Sequence, residues 1–179
     1  MKTLIIVTHP HIEDSLINKR WIEELEKYPE QYTIHQLYKA YPDEHIDVKE
    51  EQQLIEQYDH IVFQFPLYWF SSPPLLKKWQ DEVLTYGWAY GSKSGYKVGG
   101  KKVTLAISAG IDEHEYAHNE KYKYTLKELL RPFELTFEYI HADYCPFFAY
   151  YGIELNSTTE WIERSVPLYK QFLEDFAKA

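Results

Sequence analysis

A phenol and an imidazole stand close together at Tyr116 and His118, inside the polar run 112–119. Either can hydrogen bond to a bound ring or exchange a proton with it, although loop side chains of these types are ordinarily just solvated. Earlier in the chain, Leu67, Tyr68, Trp69 and Phe70 follow an apolar run at 61–65 and the strand-stopping Pro66. Large apolar side chains held in a loop are costly to expose. Pro66 to Phe70 would offer apolar walls and backbone groups to a flat aromatic ligand, the alternative being core aromatics at a strand end. His9, Ser15 and Asn18 fall at the amino end of an expected helix, where free amides and the helix dipole favour an anion such as phosphate. Ser15 as a cap and His9 as a packed ring is the plainer reading. Ser108, Ala109 and Gly110 are small enough for backbone to approach a ligand closely, or to make a tight turn.

These groups need a frame. Apolar, β-branched runs at 3–7, 32–37, 61–65, 102–108 and 143–150 read as strands. Helical patterns follow, the first opened by Asp14 or Ser15 and ended by Pro29, the second short and polar at 49–58. The third follows Ser71 or Ser72 with Pro73 and Pro74 in its first turn, and the fourth covers 125–141 with a kink at Pro132. A capping-box pattern at 157–160 opens the last helix. Strand and helix alternate throughout, which predicts an α/β fold: a doubly wound, five-stranded parallel sheet with helices on both faces, in one domain over 1–179. Right-handed crossovers would bring the loops after strands one, three and four to the same sheet edge, the ligand-binding edge of such folds.

Composition narrows the chemistry. A formal charge of −9 argues against nucleic acid or an anionic membrane as principal partner. The one cysteine, Cys145, excludes a disulfide framework and a Cys-rich metal site, and a reducing cytoplasm fits it best. His9, His11, His114 and His118 lack a closed ligand set, so no metal is expected. The acidic run 112–115 reads as a solvated loop rather than an acid–base pair. No P-loop and no GxGxxG is present, which removes those modes of nucleotide binding. The start of the chain is too short for a signal-peptide core and no stretch is long enough to span a bilayer, so a cytoplasmic, soluble protein is expected. Aromatic residues reach 17%, more than one small core houses, and the long excursion 88–100 is expected to be functional or mobile.

The stretch FPLYWFSSPPLLKKW followed by GWAYG resembles the flavodoxin-like NAD(P)H:quinone oxidoreductases. The order of Thr8-His9-Pro10, Tyr41-Pro42-Asp43 and Ser108-Ala109-Gly110 agrees, and the similarity covers essentially the whole chain. The bacterial ancillary quinone reductases of the glutathione-gated potassium efflux system are the nearer part of that family. The resemblance implies a two-electron, ping-pong enzyme that passes a hydride from NAD(P)H through flavin N5 to a quinone or related acceptor. It implies FMN in preference to FAD, because the chain lacks the carboxyl-terminal extension of the animal enzymes, with FAD as the alternative. His9, Ser15, Leu16, Ile17 and Asn18 match positions holding the flavin phosphate and ribityl chain. Pro66 and Leu67 to Phe70 match the loop against the isoalloxazine, and Ser108, Ala109, Gly110 and Ile111 match the loop at its pyrimidine end. Tyr116 aligns with the family's active-site tyrosine. The partner histidine falls near Tyr122, with His118 as a substitute. Trp69, Phe70, Trp88 and Tyr116 would wall the shared substrate slot of a homodimer. Tyr68, Ala109 and Ile111 replace the family's usual glutamine, threonine and glycine. The resemblance also admits a regulatory subunit on a potassium efflux antiporter at the inner face of the membrane, or a flavodoxin-type electron carrier.

Overall fold

The computed structural model describes residues 2–93 and 95–178; Met1, Ser94 of the excursion and Ala179 lie outside the described residues. Strands β1 (Thr3–Val7), β2 (Tyr32–Gln36), β3 (His60–Pro66) and β4 (Lys102–Ser108) form a parallel sheet. With β5 (Asp143–Tyr144) at the edge, its order, β2-β1-β3-β4-β5, is doubly wound as expected. Pleat alternation splits the strands between two cores. Leu4, Ile6, Ile61, Phe63, Phe65, Leu105 and Ile107 face α3 (Val48–Glu56), α4 (Pro74–Val83), α5 (Leu126–Leu129) and α6 (Arg131–Tyr139). Ile5, Val7, Val62 and Ala106 face α1 (Ile17–Leu25) and α7 (Thr159–Lys178). A strand buried on both faces must read as a continuous apolar run, which is why these strands were legible.

The expected fifth strand is two. Both β5 (Asp143–Tyr144) and β6 (Phe148–Tyr150) pair parallel with β4, one at its start and one at its end. Pro146 sits between them and cannot donate to a ladder. The Thr104 hydroxyl instead donates to the Pro146 carbonyl at 2.8 Å, so the chain stays against β4 across the gap.

Three helix starts differ from the sequence reading. Neither Ser71 nor Ser72 caps α4; Pro73 occupies the cap without a side-chain bond. The helix expected at 125–141 breaks at Leu130, and Pro132 opens α6 rather than kinking one long helix. The capping box belongs to α5, where Thr125 and Glu128 bond reciprocally. At α7 it is Thr158 whose hydroxyl accepts from the Trp161 amide at 3.2 Å. A single turn, α2 (Leu37–Ala40), interrupts the irregular stretch after β2.

Candidate active site

The loop after β1 is anchored at its root. The Thr8 amide donates to the Gln64 carbonyl at 2.9 Å, and Thr8 is fully buried with a hydroxyl that has no partner. His9 Nδ1 accepts from the His11 amide at 3.1 Å, which leaves the ring proton on Nε2. Burial, reinforced by His11, holds the His9 imidazole below its ordinary value. A one-turn 3-10 helix (Ile12–Asp14) leads to Ser15, whose hydroxyl accepts from the Asn18 amide at 3.0 Å. Leu16 is half exposed, whereas the Ile17 side chain lies in the core, so only its backbone is free to face a ligand.

Asn18 serves differently from a surface ligand. Its side chain is buried, donating from Nδ2 to the Ser108 hydroxyl at 2.8 Å and accepting at Oδ1 from Gln64 Nε2 at 3.3 Å. The Tyr169 hydroxyl donates in turn to Gln64 Oε1 at 2.9 Å. A buried polar chain thus joins α7, β3, α1 and β4 directly beneath the site, and every link is paired as burial demands.

After β3 the backbone folds into a two-residue turn. Tyr68 and Ser71 exchange amide bonds at 3.0 and 2.9 Å, with Trp69 at φ 48° and Phe70 at φ 62° between them. Two left-handed central residues define the I′ geometry, which favours Asn and Gly. Placing tryptophan and phenylalanine there costs backbone strain, and Trp69 is 94% exposed besides. Pro66 ends β3, and the Leu67 amide donates to the Ser108 carbonyl at 2.9 Å, which fastens this loop to the next.

After β4, Ala109 and Ile111 continue the sheet's pairing: the Ala109 amide bonds the Tyr150 carbonyl at 2.9 Å and the Gly152 amide bonds the Ile111 carbonyl at 3.0 Å. Gly110 makes room for the Glu154 side chain, whose carboxylate lies where a Cβ would project. Tyr116 is buried, its ring stacked on Tyr122 (centroids 5.1 Å, 29°) and packed near Tyr151 (5.8 Å). Tyr122 meets Phe70 edge to face at 5.1 Å, so one aromatic row links the segments that follow β3, β4 and β6. Burial first, then Tyr122, Glu154 and Glu115, push the Tyr116 phenol up to about 12. It remains a protonated donor at any physiological pH.

Two expected residues are placed elsewhere. His118 is exposed and its Nε2 pairs with Glu128 at 2.8 Å, in the cap of α5, so it does not face Tyr116 as a relay. Trp88 is buried and donates from Nε1 to Glu56 at 2.7 Å. Lys101, just before β4, reaches the same Glu56 backbone, so Trp88 belongs to the opposite sheet edge and does not wall this site within one chain. Sequence reading missed Gln64, Tyr122 as a packing partner, Tyr151 and Glu154. Only Gln64 carried a signal, as the one polar residue inside the apolar strand.

A parallel sheet in the order β2-β1-β3-β4-β5, with its ligand-accessible loops at the carboxyl edge, is the flavodoxin-like arrangement. The family model described as "Flavodoxin-like fold" matches residues 1–172, and the chain belongs to that family. General stress protein 14 of Bacillus subtilis (strain 168) is 49% identical over 97% of this chain and 98% of its own. An uncharacterized NAD(P)H oxidoreductase of the same organism, YrkL, is 47% identical over 100% of this chain and 99% of its own. The potassium-efflux ancillary protein KefG of Enterobacter sp. (strain 638) is 41% identical over 75% of this chain and 73% of its own. Among solved structures, general stress protein 14 of Treponema denticola in complex with FMN superposes with TM-score 0.92 at 45% identity, covering 98% and 99% of the two chains. A structure described as a tryptophan halogenase from Streptomycin violaceusniger gives 0.89 at 43%, covering 94% and 96%. An NADPH-quinone reductase from P. pentosaceus gives 0.85 at 32%, covering 97% and 98%. Those names differ in activity. No helix among the described residues is long and apolar enough to cross a membrane.

Proposed function

We propose that this chain is an FMN-dependent NAD(P)H:quinone oxidoreductase. The observation that carries the reading is the meeting, at one sheet edge, of the strained Trp69–Phe70 turn with the buried Tyr116 phenol through Tyr122. The residues fit a flavin. The unpartnered Thr8 hydroxyl, the Nε2 proton of His9 and the Ile17 amide that opens α1 would hold the phosphate. Pro66, Leu67, Tyr68, Trp69 and Phe70 would supply the wall against the rings, and the backbone of Ser108, Ala109, Gly110 and Ile111 the polar edge. Bound flavin supplies a two-electron hydride acceptor that can pass the same equivalents on to a quinone. The protein's share is positioning, exclusion of water and hydrogen bonding. Tyr116, desolvated and protonated, would donate to a developing negative charge without ionising itself.

A homodimer belongs to this reading. Tyr86, Leu135 and Tyr139 are all about two-thirds exposed, at 66%, 64% and 67%, and Tyr90 joins Tyr86 to Tyr139 by ring contacts at 5.8 and 5.7 Å. Monomers rarely leave so contiguous an apolar patch in water. Light scattering at micromolar concentration should give twice the chain mass; a monomer would remove this part. The likeness to KefG favours a second reading, in which the chain also docks on a potassium efflux antiporter. Retention of the purified protein by membranes carrying such an antiporter, and not by membranes without it, tests that. The enzymatic reading is tested by the NAD(P)H and quinone half-reactions of the FMN-loaded protein.

A further inference from the structure

Tyr122 touches both partners of the proposed chemistry. Its ring stacks on Tyr116 at 5.1 Å and meets Phe70 in a T-shaped contact at 5.1 Å. The ring is itself held: its amide donates to the Glu115 carbonyl at 3.2 Å, and Lys121 Nζ lies 5.2 Å over it while reaching Glu115 at 3.9 Å. His118, the other candidate to assist Tyr116, is engaged with Glu128 in the cap of α5. The Phe70 backbone is left-handed, a conformation that an L side chain keeps only when its surroundings over-determine it. The contact best placed to do so is the one with Tyr122. It is ring on ring, and among the described residues no hydrogen bond joins the hydroxyls of Tyr116 and Tyr122.

We propose that Tyr122 is a positioning residue, whose ring braces the Trp69–Phe70 turn and fixes the Tyr116 phenol against it. The catalytic half of this inference rests on the oxidoreductase reading; the structural half does not. The ring is the working part, so Tyr122→Phe keeps the function and Tyr122→Leu loses it.

The test begins on the protein without flavin. Hydrogen exchange is followed at the Tyr68 and Ser71 amides, which bond one another across the turn, with β1 and β3 amides as the control for folding. Tyr122→Leu should speed exchange at both turn amides by about tenfold and leave the strands protected, while Tyr122→Phe stays within about twofold of the parent. Phe70→Leu, which removes the other half of the contact, should act as Tyr122→Leu does, and supplies the answer if that variant does not fold. Unchanged turn exchange in the leucine variants overturns the brace. In the FMN-loaded protein, Tyr122→Leu should lower kcat by about tenfold with KM for NADPH nearly unchanged, and Tyr122→Phe should restore it. A kcat unaffected by leucine overturns the positioning of Tyr116. If the parent protein oxidises no NADPH the oxidoreductase reading fails by itself, and the exchange result still decides the brace.

Discussion

The Asn18 side chain donates from Nδ2 to the Ser108 hydroxyl at 2.8 Å, deep under the site, and ties the start of α1 to the end of β4. Residues proposed for opposite ends of one ligand are therefore rigidly connected before any ligand arrives. Asn18→Ala would leave the buried Ser108 hydroxyl without its donor, while Gln64 Nε2 keeps its bond to the Asn18 backbone carbonyl at 3.2 Å. A loss of about 1–3 kcal/mol is expected, read from urea unfolding. Adding Ser108→Ala to it should cost less than the two single changes together, because the partner is already lost.

Trp69 presents the opposite balance. It is 94% exposed, so removing it forfeits little burial, and its φ of 48° suits asparagine far better. Trp69→Asn should stabilise the fold by about 1 kcal/mol through relief of the left-handed strain. The same variant should raise KM for quinone if the indole walls the substrate slot. Stability and turnover measured on one preparation would separate the two effects, and a destabilised variant would contradict the strain assignment.

Tyr116→Phe should lower turnover while FMN still binds, since the phenol is proposed to donate rather than to hold the cofactor. Equal turnover would remove Tyr116 from the mechanism. Because burial raises the phenol to about 12, its alkaline loss of function should fall near that value rather than near an exposed tyrosine's 10. The same shift makes it a stabilising group below pH 10, with the contribution lost as pH rises toward 12.

A second titrating centre lies away from the site. Glu51 is 1% exposed and accepts from His35 Nε2 at 2.7 Å, the Tyr41 hydroxyl at 2.8 Å and Trp79 Nε1 at 2.7 Å. Burial alone would raise its carboxyl, but the bonds from His35, Trp79 and Tyr41 outweigh it and hold the group below the ordinary 4.5. A depressed carboxylate stabilises the fold above its unfolded value and loses that contribution as pH falls through the folded one. Acid unfolding below pH 4.5 should therefore include this group. Glu51→Ala, leaving the buried Tyr41 and Trp79 donors and the half-buried His35 without their acceptor, should cost roughly 3–5 kcal/mol at neutral pH and flatten that limb of the stability curve.

How far the sequence could be read follows from which interactions are local. Strands β1, β3 and β4 show as apolar runs because both faces are buried, and the Trp69–Phe70 loop shows because Pro66 must end a strand. The split at Pro146 has a local signal in the proline itself, but the Thr104 bond that keeps the chain against β4 across it comes from a distant strand and leaves none. Asn18 could be marked as polar at a helix start, but its engagement with Ser108 and Gln64 is a tertiary fact without local trace. The same holds for Trp88, whose partner Glu56 lies on another helix, and for His118, drawn into the cap of α5. The position of Tyr122 between Phe70 and Tyr116 depends on two loops meeting, and no periodicity encodes that.

The central claim is tested most directly by an absorbance spectrum of the protein reconstituted with FMN, followed under anaerobic conditions by NADPH and then menadione. The account predicts that the flavin band bleaches with NADPH and returns on adding the quinone. A band that does not form, or that forms and NADPH cannot bleach, would contradict it.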